Sequence, residues 1–255
     1  MCFRWPGHEL RSLIKSMLLK HDIVLSRPPG QFSIGATKLL RIRDRGLLVR
    51  CAVDGGAASG GWTRELKAAY PEARVLCVEP RRDAQKELER LAAEFPGTHL
   101  AATLLGAEEK AVNFNISAEQ SSVLPDFRGE HFGQVAATPM TTLDRLIERL
   151  GLPQPDLIKL DLQGYELQAL AGAEKALTHA QGVLLEASFI AFQEGMPLLA
   201  DVIAFMKDRA FRCYDVFGLW HRPLDGALVQ GDFFFLSESS PLLRDRRWSA
   251  EAVSA

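Results

Sequence analysis

Residues 156–172 read DLIKLDLQGYELQALAG. Leu157, Ile158 and Leu160 give the first half the short apolar run of a strand buried on both faces, and the second half has the apolar spacing of a helix. Lys159, Asp161 and Glu166 break that pattern. Alternate residues of a strand share a face, so Lys159 and Asp161 point to one side, with Asp161 at the strand's carboxyl end. Glu166 falls in the first turn of the helix that follows. Open parallel sheets take their ligands at the carboxyl ends of their strands, so these charges mark a candidate site.

The flanking sequence repeats the alternation. Buried-strand patterns occur at 46–54 (GLLVRCAVD), 73–80 (ARVLCVEP), 98–106 (THLAATLLG) and 182–188 (GVLLEAS), and helical patterns separate most of them. That order predicts βαβ units, a mostly parallel sheet and helices on both faces. Two late strands, 211–218 and 228–237, have no helix between them and should therefore be antiparallel. Thr142 is placed to cap a short helix over 143–150. Residues 107–140 carry no helical stripe and are expected to form a substrate loop region. We divide the chain into an N-terminal helical cap (1–45, with a helix in HELRSLIKSMLLK), a main domain (46–237) and a C-terminal tail (238–255).

The 255 residues are 47% hydrophobic and 24% charged, with a formal net charge of −2. These values suit a single α/β domain with a full core and give no general attraction to nucleic acid or an anionic membrane. Cys2, Cys51, Cys77 and Cys213 form no metal-binding or redox spacing and read as reduced structural residues. No apolar stretch reaches the ~20 residues of a bilayer span, and the charged N-terminus lacks the apolar core of a signal peptide. A cytoplasmic protein follows as the expectation, with a homo-oligomer left open.

The first strand ends in VDGGAASGGW, residues 53–62. Glycines there permit a tight turn with N–H groups facing a crevice. Glu79, followed by Pro80, ends the second strand, where an acid accepts hydrogen bonds from ribose hydroxyls. The dinucleotide pattern G-x-G-x-x-G and the phosphate loop are both absent. Asp54 at the mouth of the turn argues against a pyrophosphate and for a cationic, amino-bearing nucleoside such as S-adenosylmethionine.

In order and spacing, VDGGAASGGW, VLCVEP, TTLDRLI, DLIKLDLQGYELQALAGA and VLLEASF resemble the FkbM-type methyltransferases, from residue 46 to the closing GDFFFL before 237. The resemblance implies a Rossmann-like class I methyltransferase fold: a seven-stranded, mostly parallel sheet with its last strand antiparallel. It also implies S-adenosylmethionine as cofactor and methyl transfer to a hydroxyl of a sugar, glycoside or other natural product. By that resemblance Asp54, Gly56, Ala57 and Gly60 match the cofactor loop, Glu79 with Pro80 the ribose acid, and Gly106 the glycine ending the third strand. Ala58 stands where many relatives carry asparagine. Ala107 stands where many carry an acid, a place Glu108 could take.

Methyl transfer to an alcohol needs a group to take the hydroxyl proton, or a metal to acidify it. Asp161, Glu186, Lys159 and Glu166 are the catalytic candidates, with Asp161 and Glu186 the ligands if a magnesium ion takes part. Structural roles compete for two of them. Glu166 suits a helix N-terminus, and Lys159 suits the neutralisation of Asp161 or Glu186. Ser121, Ser122, Phe127 and His131 of the irregular region, and His221 within 218–226, are expected to line the acceptor pocket. Both histidines are alternative bases. N-methyl transfer and a non-catalytic nucleoside-binding module are the competing functions.

Overall fold

The computed structural model describes residues 34–117, 121–125 and 134–247. The helix expected within 8–20, along with Phe127 and His131, lies outside them.

Strands β1 (Cys51–Gly55), β2 (Arg74–Val78) and β3 (Thr98–Ala101) alternate with helices α1 (Ile34–Asp44), α2 (Gly61–Ala69) and α3 (Arg82–Glu94). A short strand β4 (Leu104–Leu105) and the longer β5 (Lys110–Ile116) and β6 (Gln134–Thr141) follow. Then come α4 (Leu143–Leu150), β7 (Leu157–Leu160), α5 (Glu166–Ala171), α6 (Glu174–His179), β8 (Gly182–Ser188) and α7 (Leu199–Asp208). Strands β9 (Phe211–His221) and β10 (Leu228–Ser237) and a 3-10 turn (Pro241–Leu243) complete the described fold.

Seven strands form one sheet in the order β3-β2-β1-β7-β8-β10-β9. The first five pair in parallel, and β10 is inserted antiparallel between β8 and β9. The order reverses between β1 and β7, so a crevice opens at their carboxyl ends. The α/β fold with an inserted antiparallel strand is the one expected from the sequence.

Alternation along the strands supplies two cores. Val53, Ile158, Leu160, Val183, Phe233 and Phe235 face α4 to α7, whereas Ala52, Leu157, Leu184, Phe234 and Leu236 face α1 to α3. The run Phe233–Leu236 is apolar on both sides because β10 is an inner strand covered on both faces. Phe234 is fully buried and stacks on Phe217 with ring centroids 5.3 Å apart. Burying a side chain of that size stabilises the fold by roughly 1.5–3 kcal/mol.

Three features depart from the sequence reading. The run 98–106 is two strands: β3 closes the main sheet, and β4 pairs in parallel with β6 in a second sheet of order β4-β6-β5. Within 107–140, expected to be irregular, β5 and β6 form a seven-pair antiparallel ladder from Lys110↔Met140 to Ile116↔Gln134. Helix α1, assigned to the cap, buries Leu39 and Ile42 in the main core. The helix expected over 143–150 is present, and Thr142 Oγ1 accepts a hydrogen bond from Arg145 N–H at 3.3 Å.

Candidate functional site

The turn after β1 is braced from both neighbouring strands. Gly56 and Ala57 donate their N–H groups to the Val78 carbonyl at 2.9 and 3.2 Å. From the other side Lys159 Nζ donates to the Gly56 and Gly55 carbonyls at 3.0 and 3.4 Å. Gly56 has φ +70, and a Cβ there would lie 1.9 Å from the Asp161 carbonyl oxygen. Only glycine lets β1 and β7 approach this closely. The N–H groups of Gly56 and Ala57 therefore brace the turn on β2 and do not point into the crevice, contrary to the expectation from sequence. Gly60 is a packing glycine, because a Cβ would meet Leu91 Cδ2 at 2.4 Å.

Asp54 is fully buried beneath the turn. One of its oxygens accepts from Thr63 Oγ1 at 2.7 Å, and the other faces Lys159 Nζ at 3.2 Å. Asp161 Oδ2 lies farther from the same ammonium, at 3.8 Å. Burial works against the charge on Lys159, but Asp54 and then Asp161 outweigh it and hold its pKa above the ordinary lysine value. The lysine is thus a structural cation whose main partner is Asp54, a residue the sequence reading had placed among the ligand contacts.

A cavity of ≈ 270 Å³ opens above the turn. Gly56, Ala58, Glu79, Pro80 and Arg81 form one wall, Leu104, Leu105, Phe114 and Val123 an apolar second, and Asp161, Gln163 and Tyr165 a third. Glu79 is held firmly: Oε2 accepts the Ala58 N–H at 2.9 Å, and Oε1 accepts the Arg81 N–H at 3.0 Å and Nε–H at 3.2 Å. Ala58 has φ +46, a left-handed conformation that asparagine tolerates better than alanine. Ser121 lies on the lining. Ser122 is buried and donates to the Gln163 carbonyl at 2.9 Å.

Behind Asp161 lies a group of acids, Glu166 buried and Glu186 and Asp232 half-buried. Glu166 Oε1 accepts N–H groups from Leu162 at 2.6 Å and Gly164 at 3.3 Å, which ties the 161–165 turn to α5. Burial pushes the Glu166 carboxyl up to about 7. Glu186 is raised well above the carboxylate range by burial first, then by Asp161, Glu166 and Asp232. Asp232 stands opposite Glu186 in the β8–β10 ladder, and burial followed by Asp161 lifts it to about 7. Among the described residues no group of three or more His, Cys, Asp or Glu side chains is placed to hold a metal ion.

The expected residues thus separate into two sets. Gly56, Glu79, Pro80, Ser121 and Asp161 line the cavity, whereas Asp54, Ala57, Gly60, Lys159, Glu166 and Glu186 support it from outside the lining. Gly106 is also off the lining: its N–H bonds the Thr141 carbonyl, and a Cβ would strike Met140 Sδ at 2.2 Å. Glu108 is an exposed partner of Lys110. His221 ends β9, exposed, opposite Leu228 and away from the lining. Sequence reasoning missed Asp232 and Gln163. A charge within GDFFFL was the signal for Asp232, and nothing local marked Gln163.

The model for the methyltransferase FkbM domain matches residues 54–213. No curated protein matches the chain. Among solved structures, it is similar to methyltransferase FkbM from Methylobacillus flagellatus KT, at 20% identity and TM-score 0.48. That match covers 80% of this chain and 48% of the other, so the chain spans about half the length of that protein. It is also similar to magnesium protoporphyrin IX methyltransferase from Synechocystis PCC 6803 (12% identity, TM-score 0.45, covering 92% of this chain and 86% of that one). A third likeness is to 1,6-didemethyltoxoflavin-N1-methyltransferase from Burkholderia thailandensis (12%, 0.44, covering 93% and 92%). No helix among the described residues is long and apolar enough to cross a membrane.

Proposed function

Because the chain belongs to the FkbM methyltransferase family, we propose that it is an S-adenosylmethionine-dependent O-methyltransferase acting on a hydroxyl of a sugar, glycoside or other natural product. The observation that carries this reading is that Glu79, at the end of β2, and Asp161, just beyond β7, face one cavity across the Gly56 turn.

The residues present fit the cofactor. Glu79 is fixed by Ala58 and Arg81, whose donors fill both lone pairs of Oε1 and one of Oε2, and its carboxylate retains one on Oε2 for a ribose hydroxyl. Leu104, Leu105, Phe114 and Val123 offer an apolar wall for a purine. The absence of a side chain at Gly56 lets the turn close against the Asp161 backbone and brings two walls of the cavity together. When bound, S-adenosylmethionine supplies a sulfonium methyl that an oxygen nucleophile takes as that oxygen loses its proton.

The chain's own groups supply what that chemistry needs. Asp161 is the acid on the lining across from Glu79 and receives the hydroxyl proton. Lys159 stays charged and holds the Gly55 and Gly56 carbonyls, so the turn keeps its shape. Glu166 holds the backbone of the 162–164 turn against α5. The acceptor is a small molecule that enters beside Ser121 and Tyr165.

Calorimetric titration with S-adenosylhomocysteine, in parallel with NAD, tests the cofactor assignment. Micromolar binding of S-adenosylhomocysteine alone is expected, at least ~10-fold weaker in Glu79→Ala, because a hydrogen bond to a charged acceptor is lost. Binding of NAD in its place, or an unchanged affinity in Glu79→Ala, would overturn the reading.

A further inference from the structure

The backbone at Gln163 has φ +52, a conformation that a residue with a side chain adopts at a cost of roughly 1–3 kcal/mol. Three contacts hold it there. Glu166 grips the N–H groups on either side of it, at Leu162 and Gly164, and Ser122 Oγ–H donates to its carbonyl at 2.9 Å. The turn aims the side-chain amide between two acids: Nε2 lies 2.9 Å from Asp161 Oδ1 and 2.8 Å from Glu186 Oε2. An amide nitrogen carries two hydrogens, and here each has a carboxylate oxygen in reach. The reverse orientation would set the amide oxygen against both acids, so the chemistry fixes which end faces them.

We propose that Gln163 is a positioning residue that ties Asp161 and Glu186 into one unit, holding Asp161 on the cavity lining as the proton acceptor and Glu186 behind it as its uncharged-donor-linked partner. The proposal rests on the proposed methyl transfer for the meaning of "acceptor", but the link itself is a property of the chain alone. A neutral donor suits this place. A lysine or arginine would form an ion pair with Asp161 and weaken it as a base, and a glutamate would add a further negative charge. Gln230 Nε2, from β10, donates to the same Glu186 oxygen at 3.1 Å. Both amides therefore meet on Oε2, and a proton held by Glu186 belongs on Oε1.

The charged groups around the pair are Lys159 from β7, Glu166 from α5 and Asp232 from β10, with Asp54 of β1 neutralising Lys159. Lys159 is anchored by Asp54 and the glycine turn, and its 3.8 Å approach to Asp161 leaves Gln163 as the closer donor.

Carboxyl 13C NMR at one fixed pH, on protein labelled in Asp and Glu, tests the link without an acceptor, with Asp161→Asn and Glu186→Gln assigning the two signals. In Gln163→Met, which keeps the length and removes both donors, the Asp161 and Glu186 carboxyl signals are both expected to move while the other carboxyl signals stay in place. Gln163→Asn tolerates the left-handed backbone but is one carbon short, so it should move the same two signals even if the methionine variant folds poorly. Unchanged Asp161 and Glu186 signals in the folded variants would sink the proposal. Failure of the wild type to bind S-adenosylhomocysteine would instead remove the cofactor assignment and leave the Gln163 result standing.

Discussion

Asp54 and Lys159 are register partners in the parallel β1–β7 ladder, and their side chains meet at 3.2 Å beneath the glycine turn. The lysine that looked anomalous within DLIKLD answers an acid on the neighbouring strand 105 positions earlier in the chain (159 − 54). It spends its remaining hydrogens on the Gly55 and Gly56 carbonyls. One buried cation thus joins two strands and the loop between sheet and cavity.

Removing that cation should be costly. Lys159→Met leaves Asp54 charged, buried and facing an apolar group, a change that destabilises by about 3–5 kcal/mol. Replacing both partners, in Asp54→Asn with Lys159→Met, should recover most of the loss, because no uncompensated charge remains. Urea denaturation of the two variants and the wild type measures this. A single variant within about 1 kcal/mol of wild type would show that the pair is not what holds β1 to β7.

Glycines of the same loop should respond in opposite ways. Gly56→Ala forces a Cβ against the Asp161 carbonyl at 1.9 Å in a left-handed backbone, and a loss of about 3 kcal/mol or more is expected. Gly61 opens α2, and a Cβ there meets nothing within 4 Å. Gly61→Ala should be neutral or stabilising by up to about 1 kcal/mol, since it restricts the unfolded chain. Thermal unfolding distinguishes the two. Equal effects would mean that glycine in this loop serves flexibility and not close approach.

Legibility followed locality. Strands β1, β2, β7 and β8 showed themselves as short apolar runs because each is buried on both faces. The antiparallel pair β9 and β10 was readable from the short connection. What stayed hidden depends on contacts distant in sequence. THLAATLLG carries no glycine or proline before Gly106, so composition does not reveal that the chain leaves one sheet at Ala101 and enters another at Leu104. Asp232 joins the acids only because β10 inserts beside β8 and brings it opposite Glu186. The roles of Asp54 and Glu79 differ for the same reason: both end or nearly end a strand, but α2 covers the first through Thr63, whereas the second meets the cavity.

Glu166 gives the fold a pH dependence of unusual sign. Burial raises its folded value from 4.5 to about 7, so between those values the folded state holds a proton that the unfolded state has released. Stability therefore falls as pH rises from about 4.5 to about 7 and is flat above that, by about 3 kcal/mol from this group at 1.36 kcal/mol per pH unit. Glu166→Gln keeps an oxygen for the Leu162 and Gly164 N–H groups and removes the titration. Its stability should lose less across that window, with Glu186 and Asp232 supplying the slope that remains. Denaturant midpoints at pH 5 and pH 8 provide the check, and an identical drop in both proteins would contradict the assignment.

The nature of the acceptor can be read from Asp161. A hydroxyl needs its proton removed as the new bond forms, and a positioned base contributes typically 10²–10⁴-fold. An amine with a free lone pair needs no such help. Asp161→Asn preserves an oxygen for the Gln163 amide, so the turn and cofactor affinity should survive within about threefold. With labelled S-adenosylmethionine and a panel of glycosides, phenols and amines, the variant should transfer methyl to hydroxyls about 100-fold or more slowly than wild type. If amines are methylated at equal rates by both proteins and hydroxyls by neither, the reaction is N-methyl transfer and Asp161 is an electrostatic partner of Lys159. Wild-type rates on a hydroxyl acceptor would remove Asp161 as the base and leave the cofactor assignment intact.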